Sequence, residues 1–221
     1  MRTIKVTGKG NLSVRPDTTR ITLSLERTYK EYKEALEHSA KDTELLGELL
    51  AGYGFERTDL KTLSFNVDTE YESYREDDVY KQRFIGYKYT HMMKVEFPSD
   101  NERLGKVLYA LANSPVDPQF QISYTVKDPE PVKNELLGKA VADAKIKAGV
   151  LAQAAGLSLG EIQNIDYSWG RIDFEVRPVD RMVRANGMLG ARMEKAMAYD
   201  MNIEPDDIEV SDTVTVLWEI L

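Results

Sequence analysis

Cysteine is absent from the 221 residues, which removes disulfide frameworks, thiolate metal sites and cysteine nucleophiles at once. Histidine is nearly absent too. His38 and His91 are the only two, far apart in the chain and without a tight spacing of carboxylates around either, so no metal or catalytic site and no cofactor is expected. His91 sits in an apolar alternation and reads as a packed or interface residue; His38, on a polar helix flank, reads as solvated. Positive charge is the scarcer sign, with 29 Lys and Arg against 37 Asp and Glu and a net charge of -8. A general phosphate-binding surface needs clustered cations, so nucleic acid is not expected as a partner.

Long apolar runs are missing as well, which leaves no candidate for an integral membrane segment. The opening residues, MRTIKVTGKG, alternate like a strand and leave no room for the apolar core of a signal peptide. As written, the chain is expected in the cytoplasm, whereas a chain shorn of a leader would read the same way and be exported. What is present is a 42% hydrophobic and 30% charged composition, sufficient for a real core, and a single domain over 1–221 is expected.

Periodicity predicts the elements. Ile4 and Val6 share one face of a first strand, RPD at Arg15 to Asp17 makes a turn, and Ile21, Leu23 and Leu25 line a second strand expected to pair with it. Thr28 and Glu31 form a capping-box pattern before a long helix, about Lys30 to Tyr53, whose stripe carries Tyr32, Leu36, Ala40, Thr43, Leu46 and Leu50 and which stops at Gly54. Two long strands follow, one with Leu63, Phe65 and Val67 alternating and one running from Ile85 through Tyr87, Tyr89, His91 and Met93 to Phe97. They are joined by the polar YESYREDDVYKQ. Strands of this length reach beyond a small sheet, which predicts an extended β-hairpin arm over about 62–97.

Ser99 and Glu102 repeat the capping-box pattern before a short helix, and a strand with Phe120, Ile122 and Tyr124 comes next. Asp128 and Pro129 open a second long helix, about Pro131 to Ala155, rich in alanine. Leu136, Leu137, Ala140, Val141, Ala144, Ala148, Leu151, Ala152 and Ala155 form its stripe with the alanines down the middle, so its backbone is expected to lie unusually close to a sheet. Ile146 and Val150 on this helix, and Leu45 and Leu49 on the first, fall off the stripes. The simplest arrangement packs the two long helices together on one face of one sheet. Helix, glycine, loop and strand recur after Gly54 and Gly156 as a weak internal repeat, and the chain closes on a strand with Val210, Val214, Val216, Trp218 and Ile220 on one face.

Three stretches resemble the SIMPL-domain family. IKVTGKGNLSVRPDTTRITLSL is similar to the family's opening strand, with Gly8, Gly10, Pro16 and Asp17 at the matching positions. AVADAKIKAGVLAQAAGLSLGEI resembles its alanine-rich helix, and IEPDDIEVSDTVTVLWEI its last strand, with Asp206 where glycine is more usual. The resemblance implies an α+β fold with helices over a mostly antiparallel sheet, and a tendency to higher oligomers in some relatives. Many relatives are exported, and no catalytic residues come with the family.

No stretch carries a strong chemical motif. TGKGN lacks the following helix that a phosphate loop needs and reads as a bulge or a close strand crossing. REDD at Arg75 to Asp78 and EPDD at Glu204 to Asp207 lack the alternating oxygen ligands of a calcium loop and read as solvated turns. Five of the eight methionines, Met182, Met188, Met193, Met197 and Met201, fall in an irregular insert over about 170–206, and methionine suits adaptable contacts. The expected function is a non-enzymatic oligomerising, scaffold or protein-interaction protein, with stress protection or envelope maintenance implied by family association. Tyr71, Tyr87, Tyr89, Met193 and Met197 are the expected contacts in a homo-oligomer. The alternative is a small-ligand binder or enzyme that uses carboxylate and tyrosine groups at the sheet edge.

Overall fold

A computed structural model describes residues 2–76, 78–167, 172–177 and 203–221. The elements in chain order are β1 (Thr3–Val14), β2 (Thr18–Tyr29), α1 (Tyr32–Ala51), β3 (Lys61–Glu76), β4 (Val79–Pro98), α2 (Asn101–Ala112), β5 (Gln119–Thr125), α3 (Glu130–Ala154), β6 (Leu159–Asp166), β7 (Glu175–Val176) and β8 (Ile208–Ile220). The fold is α+β, with antiparallel pairing of β1 with β8, β8 with β6, and β4 with both β2 and β3. The methionines of the irregular insert, Met193 and Met197 included, lie outside the described residues.

The chain forms two compact units, one from 1–17, 125–176 and 205–221, the other from 18–124 and 177–204. The first holds a three-stranded sheet in the order β1, β8, β6, covered by α3. Ala140, Ala144 and Ala148 are wholly buried there with Val6, Val214, Val216 and Trp218. Opposite the alanines, β1 presents glycines. A Cβ on Gly8 would stand 2.0 Å from the Ala140 carbonyl oxygen and 2.4 Å from the Ala144 nitrogen, and one on Gly10 would stand 2.2 Å from the Leu136 carbonyl oxygen. Alanine on the helix and glycine on the strand together let the two backbones approach, which makes TGKGN a close crossing of β1 and α3. Farther along the same sheet Phe174, Ile208 and Val210 close a second cluster around Leu136.

In the second unit the strands run in the order β3, β4, β2, β5. α1 and α2 supply Leu46, Leu50, Leu104, Val107, Leu108 and Leu111 to a core with Ile21, Leu23, Leu25, Met93, Val95 and Phe97. Arg103 on α2 lies 4.2 Å above the Phe55 ring and donates to the carbonyls of Tyr53 and Gly54, so the open end of α1 is tied to a cation on its neighbour.

The structure corrects several local expectations. β1 and β2 are not partners; each belongs to a different sheet. RPD ends on Asp17, whose backbone N–H donates to the Thr125 carbonyl and whose carboxylate accepts from the Lys127 N–H, so the turn leads away from β1 instead of back along it. The two long helices likewise cover separate sheets, α1 over β2 and β4 and α3 over β1 and β8. Ile146, Val150 and Leu45, expected between the helices, are 67%, 62% and 44% exposed. Thr28 lies in β2 and α1 has no side-chain cap, while Asp100, not Ser99, caps α2 by accepting from the Glu102 and Arg103 N–H groups. Pro129 is the cap residue of α3.

The repeat of helix stops has a physical counterpart. Gly54 and Gly156 both have positive φ, 79° and 72°, and in each case the next residue's N–H reaches back five residues, Phe55 to Leu50 and Leu157 to Ala152. That is the same terminating hydrogen-bond motif at both long helices.

Candidate functional site

β3 and β4 form the expected hairpin. β2 accompanies β4 only from Pro98 to Tyr87, where Tyr29 is the last partner. Beyond that point, Glu70 to Glu76 pair with Gly86 to Val79 alone, a two-stranded ribbon extending roughly 20 Å at about 3.3 Å per residue. Its root is set by Gly86, with φ of 152° and the Tyr29 carbonyl oxygen 2.1 Å from where a Cβ would sit. A larger residue is strained and obstructed there, so β2 can end against the ribbon only where glycine stands. A bulge between Glu70 and Tyr71 falls at the same place.

The ribbon has two unlike faces. On one, Tyr71 opposes Phe84 with ring centroids 5.7 Å apart, Phe84 meets Tyr87 at 5.3 Å, and Tyr87 meets Tyr32 of α1 at 5.6 Å, all edge to face. Tyr71, Phe84 and Tyr32 are about half exposed. On the other face Glu72 accepts from Arg83 at 2.6 Å, Glu76 pairs with Lys81 at 2.7 Å, and Arg83 also lies over the Tyr74 ring. At the tip Arg75 pairs with Asp78. Cross-strand pairs of both kinds hold such a ribbon together, but the first face offers a row of rings in mutual contact to a partner, whereas the other sets Tyr74 and Val79 among ion pairs.

Tyr89 does not join that row. It is fully buried beneath α1, where its hydroxyl donates to Asp42 at 2.5 Å. Arg27 approaches the same carboxylate at 3.5 Å, and Tyr29 stacks between the Tyr89 and His38 rings. Burial, and then the hydrogen bond to Asp42, push the Tyr89 phenol well above its usual range. His38 is therefore stacked and half-buried, not solvated. Asp42, with Ala35, Ser39, Leu46 and Leu50, makes the inward face of α1. That stripe is turned away from the apolar one read in the sequence, and Tyr32 and Leu36 lie on its outer flank.

A concavity of about 530 Å³ lies between α1 and the edge of this sheet. Its floor includes Phe65, His91 and Met93, and its helical wall Thr43, Glu44, Gly47 and Glu48, with Arg57 also in the lining. His91 is buried, and burial lowers its basicity. Its Nδ1 meets the Thr43 hydroxyl at 3.0 Å and its Nε2 the Thr62 hydroxyl at 2.9 Å, and Phe65 packs edge-on against it. Both ring nitrogens are thus engaged in tying α1 to β3, which is the packed role expected for His91. Among the described residues no cluster of His, Asp and Glu is arranged to hold a metal, and no helix is long and apolar enough to cross a membrane. Sequence reasoning missed Glu44, Glu48 and Arg57. The available signal was a pair of like charges one helical turn apart, flanking a glycine.

Comparison with known proteins places the chain. The profile of the SIMPL family, described as a protein of unknown function (DUF541), matches residues 4–218. The chain belongs to the SIMPL family. It is also similar to the 26 kDa periplasmic immunogenic protein of Brucella melitensis biotype 1, with 27% identity over 218 residues, 98% of this chain and 84% of that one. The protein of the same name in Brucella abortus is 26% identical over the same shares. These relatives overturn the cytoplasmic location expected from the first residues: they are named periplasmic, and an alternating opening strand carries no information about a leader.

Proposed function

We propose that this SIMPL-family chain is a non-enzymatic scaffold of the periplasm that assembles with copies of itself through its hairpin arm. The single observation behind this reading is the exposed aromatic row Tyr71, Phe84, Tyr87 and Tyr32, carried onto a ribbon that leaves its own sheet. A two-stranded hairpin is marginal by itself in water, and half-exposed aromatic rings on it gain most when another chain covers them. The ionic rear face and the charged tip keep the opposite side wet and give the arm one sticky face, so contact is directional. The periplasmic location is supported by the names of the Brucella relatives, and a self-assembling protein there suits a role in maintaining the envelope.

Tyr71→Glu and Phe84→Glu, each measured by light scattering after size exclusion, test the reading. Both are expected to shift the assembly toward the monomer while the urea midpoint stays near the parent's, and Tyr74→Glu on the ionic face is expected to do far less. A parent that is monomeric at high concentration, or charged variants that assemble as the parent does, would remove the arm from consideration.

A further inference from the structure

A second surface, distinct from the arm's aromatic face, has the features of a receptor for extended polypeptide. β3 is the terminal strand of its sheet, so among the described residues its outer edge has no strand beside it. Between its two bulges, Ser64 to Glu70 pair regularly with Met92 to Gly86, which leaves an unbroken stretch of edge backbone. Edge strands of this kind accept an added strand unless something blocks them. Directly beside it runs the 530 Å³ cleft under α1. The helical wall is lowered by Ala40, Gly47 and Ala51, and a Cβ on Gly47 would meet nothing within 4 Å. An added strand would turn every second side chain into this space.

The charges of the cleft say what would fit. Glu44 and Glu48 are exposed, and their carboxylates carry no ion pair or hydrogen bond among the described residues, whereas the arm's Glu72 and Glu76 are both paired. Like charges at i and i+4 repel along a helix, and a cation laid between them removes that cost. Arg57, beyond the C-terminal end of α1, lines the same cleft, is also without a partner among the described residues, and has the opposite preference. We propose that the cleft between α1 and β3 binds an extended peptide, added to the edge of β3, with a basic side chain against Glu44 and Glu48, an apolar one over Phe65 and Met93, and a carboxylate toward Arg57. His91, by bonding Thr43 on one side and Thr62 on the other, holds the wall and the edge at a fixed separation.

This inference does not rest on self-assembly through the arm and is tested separately from it. The probe is an acetylated octapeptide of alternating valine and threonine with one central lysine and a free C-terminal carboxylate. It is titrated into the full chain by isothermal titration calorimetry and by amide NMR shifts. Two comparison peptides carry glutamate for the lysine, or N-methyl groups on alternate amides. The lysine peptide is expected to bind about tenfold more tightly than the glutamate peptide, to shift amides of β3 and α1, and to lose binding when N-methylated. In the double variant Glu44→Lys, Glu48→Lys the preference is expected to reverse, an outcome that an unfolded variant could not produce. Absence of saturable binding at millimolar peptide, an unchanged preference in the double variant, or shifts confined to the arm would each overturn the proposal.

Discussion

Replacing Gly8 with alanine adds one methyl group at the place where β1 and α3 come closest. That methyl would lie 2.0 Å from the Ala140 carbonyl oxygen, 2.4 Å from the Ala144 nitrogen and 2.7 Å from the Ala144 Cβ, where ordinary contact starts at 3.4 Å. Two of the three obstacles are helix backbone, so no rotamer change relieves the overlap. α3 has to move outward by more than an ångström, which loosens Ala140, Ala144, Ala148 and Ala152, all buried against the sheet. Overpacking costs about 1–3 kcal/mol, and a clash with backbone belongs at the top of that range, about 3 kcal/mol. With a urea slope of roughly 2–3 kcal/mol per molar, the midpoint falls by about 1–1.5 M. The same chemical change at Gly138, where a Cβ meets nothing within 4 Å, replaces a helical glycine by alanine and is expected to stabilise by about 0.5–1 kcal/mol. Urea denaturation followed by the fluorescence of Trp218, which packs in this cluster, in a Trp169→Phe background reads both. A Gly8→Ala midpoint within a few tenths molar of the parent would refute the close approach.

Three further outcomes follow from the second unit. Tyr89→Phe leaves the buried Asp42 carboxylate without its hydroxyl donor and is expected to cost about 1–3 kcal/mol in urea denaturation. Because burial lowers the folded-state pKa of His91 below the ordinary 6.5, its contribution to stability is fully present above about pH 6.5 and is lost as pH falls through the depressed folded value. His91→Gln is expected to flatten that part of the pH dependence, seen as a smaller drop in midpoint between neutral and mildly acid buffer than the parent shows. Arg103→Lys keeps the charge but loses the planar stack over Phe55 and the paired donors to Tyr53 and Gly54, and is expected to lower stability by about 1 kcal/mol.

Features set by local periodicity were legible in the sequence. The alanine stripe of α3, the length of the hairpin, the packed role of His91 and the glycine stops of both long helices all depend on residues within a few turns or a few strand positions of one another. The choice of strand partners was not legible, because β1 pairs with β8 from the far end of the chain and nothing in IKVTGKG distinguishes that partner from β2. Alternation correctly put Tyr87 and Tyr89 on one face. It could not tell that α1 begins at Tyr32, beside Tyr87, and so covers Tyr89 while leaving the row from Tyr87 outward uncovered. The buried place of Asp42 was not legible for a related reason: nothing near it in the sequence marks the Tyr89 hydroxyl and Arg27 that hold its carboxylate inside. The cleft of Glu44, Glu48 and Arg57 was invisible for the same reason as the strand order, since its opposite wall is supplied by β3.

Native mass spectrometry of the parent chain and of Phe84→Glu across one concentration series tests self-association through the arm most directly. The parent is expected to rise from monomer to a defined higher species as concentration increases, and Phe84→Glu to remain monomeric over the same range with the charge-state distribution of a folded protein. A parent that stays monomeric throughout, or a folded Phe84→Glu that assembles at the same concentrations, would contradict it.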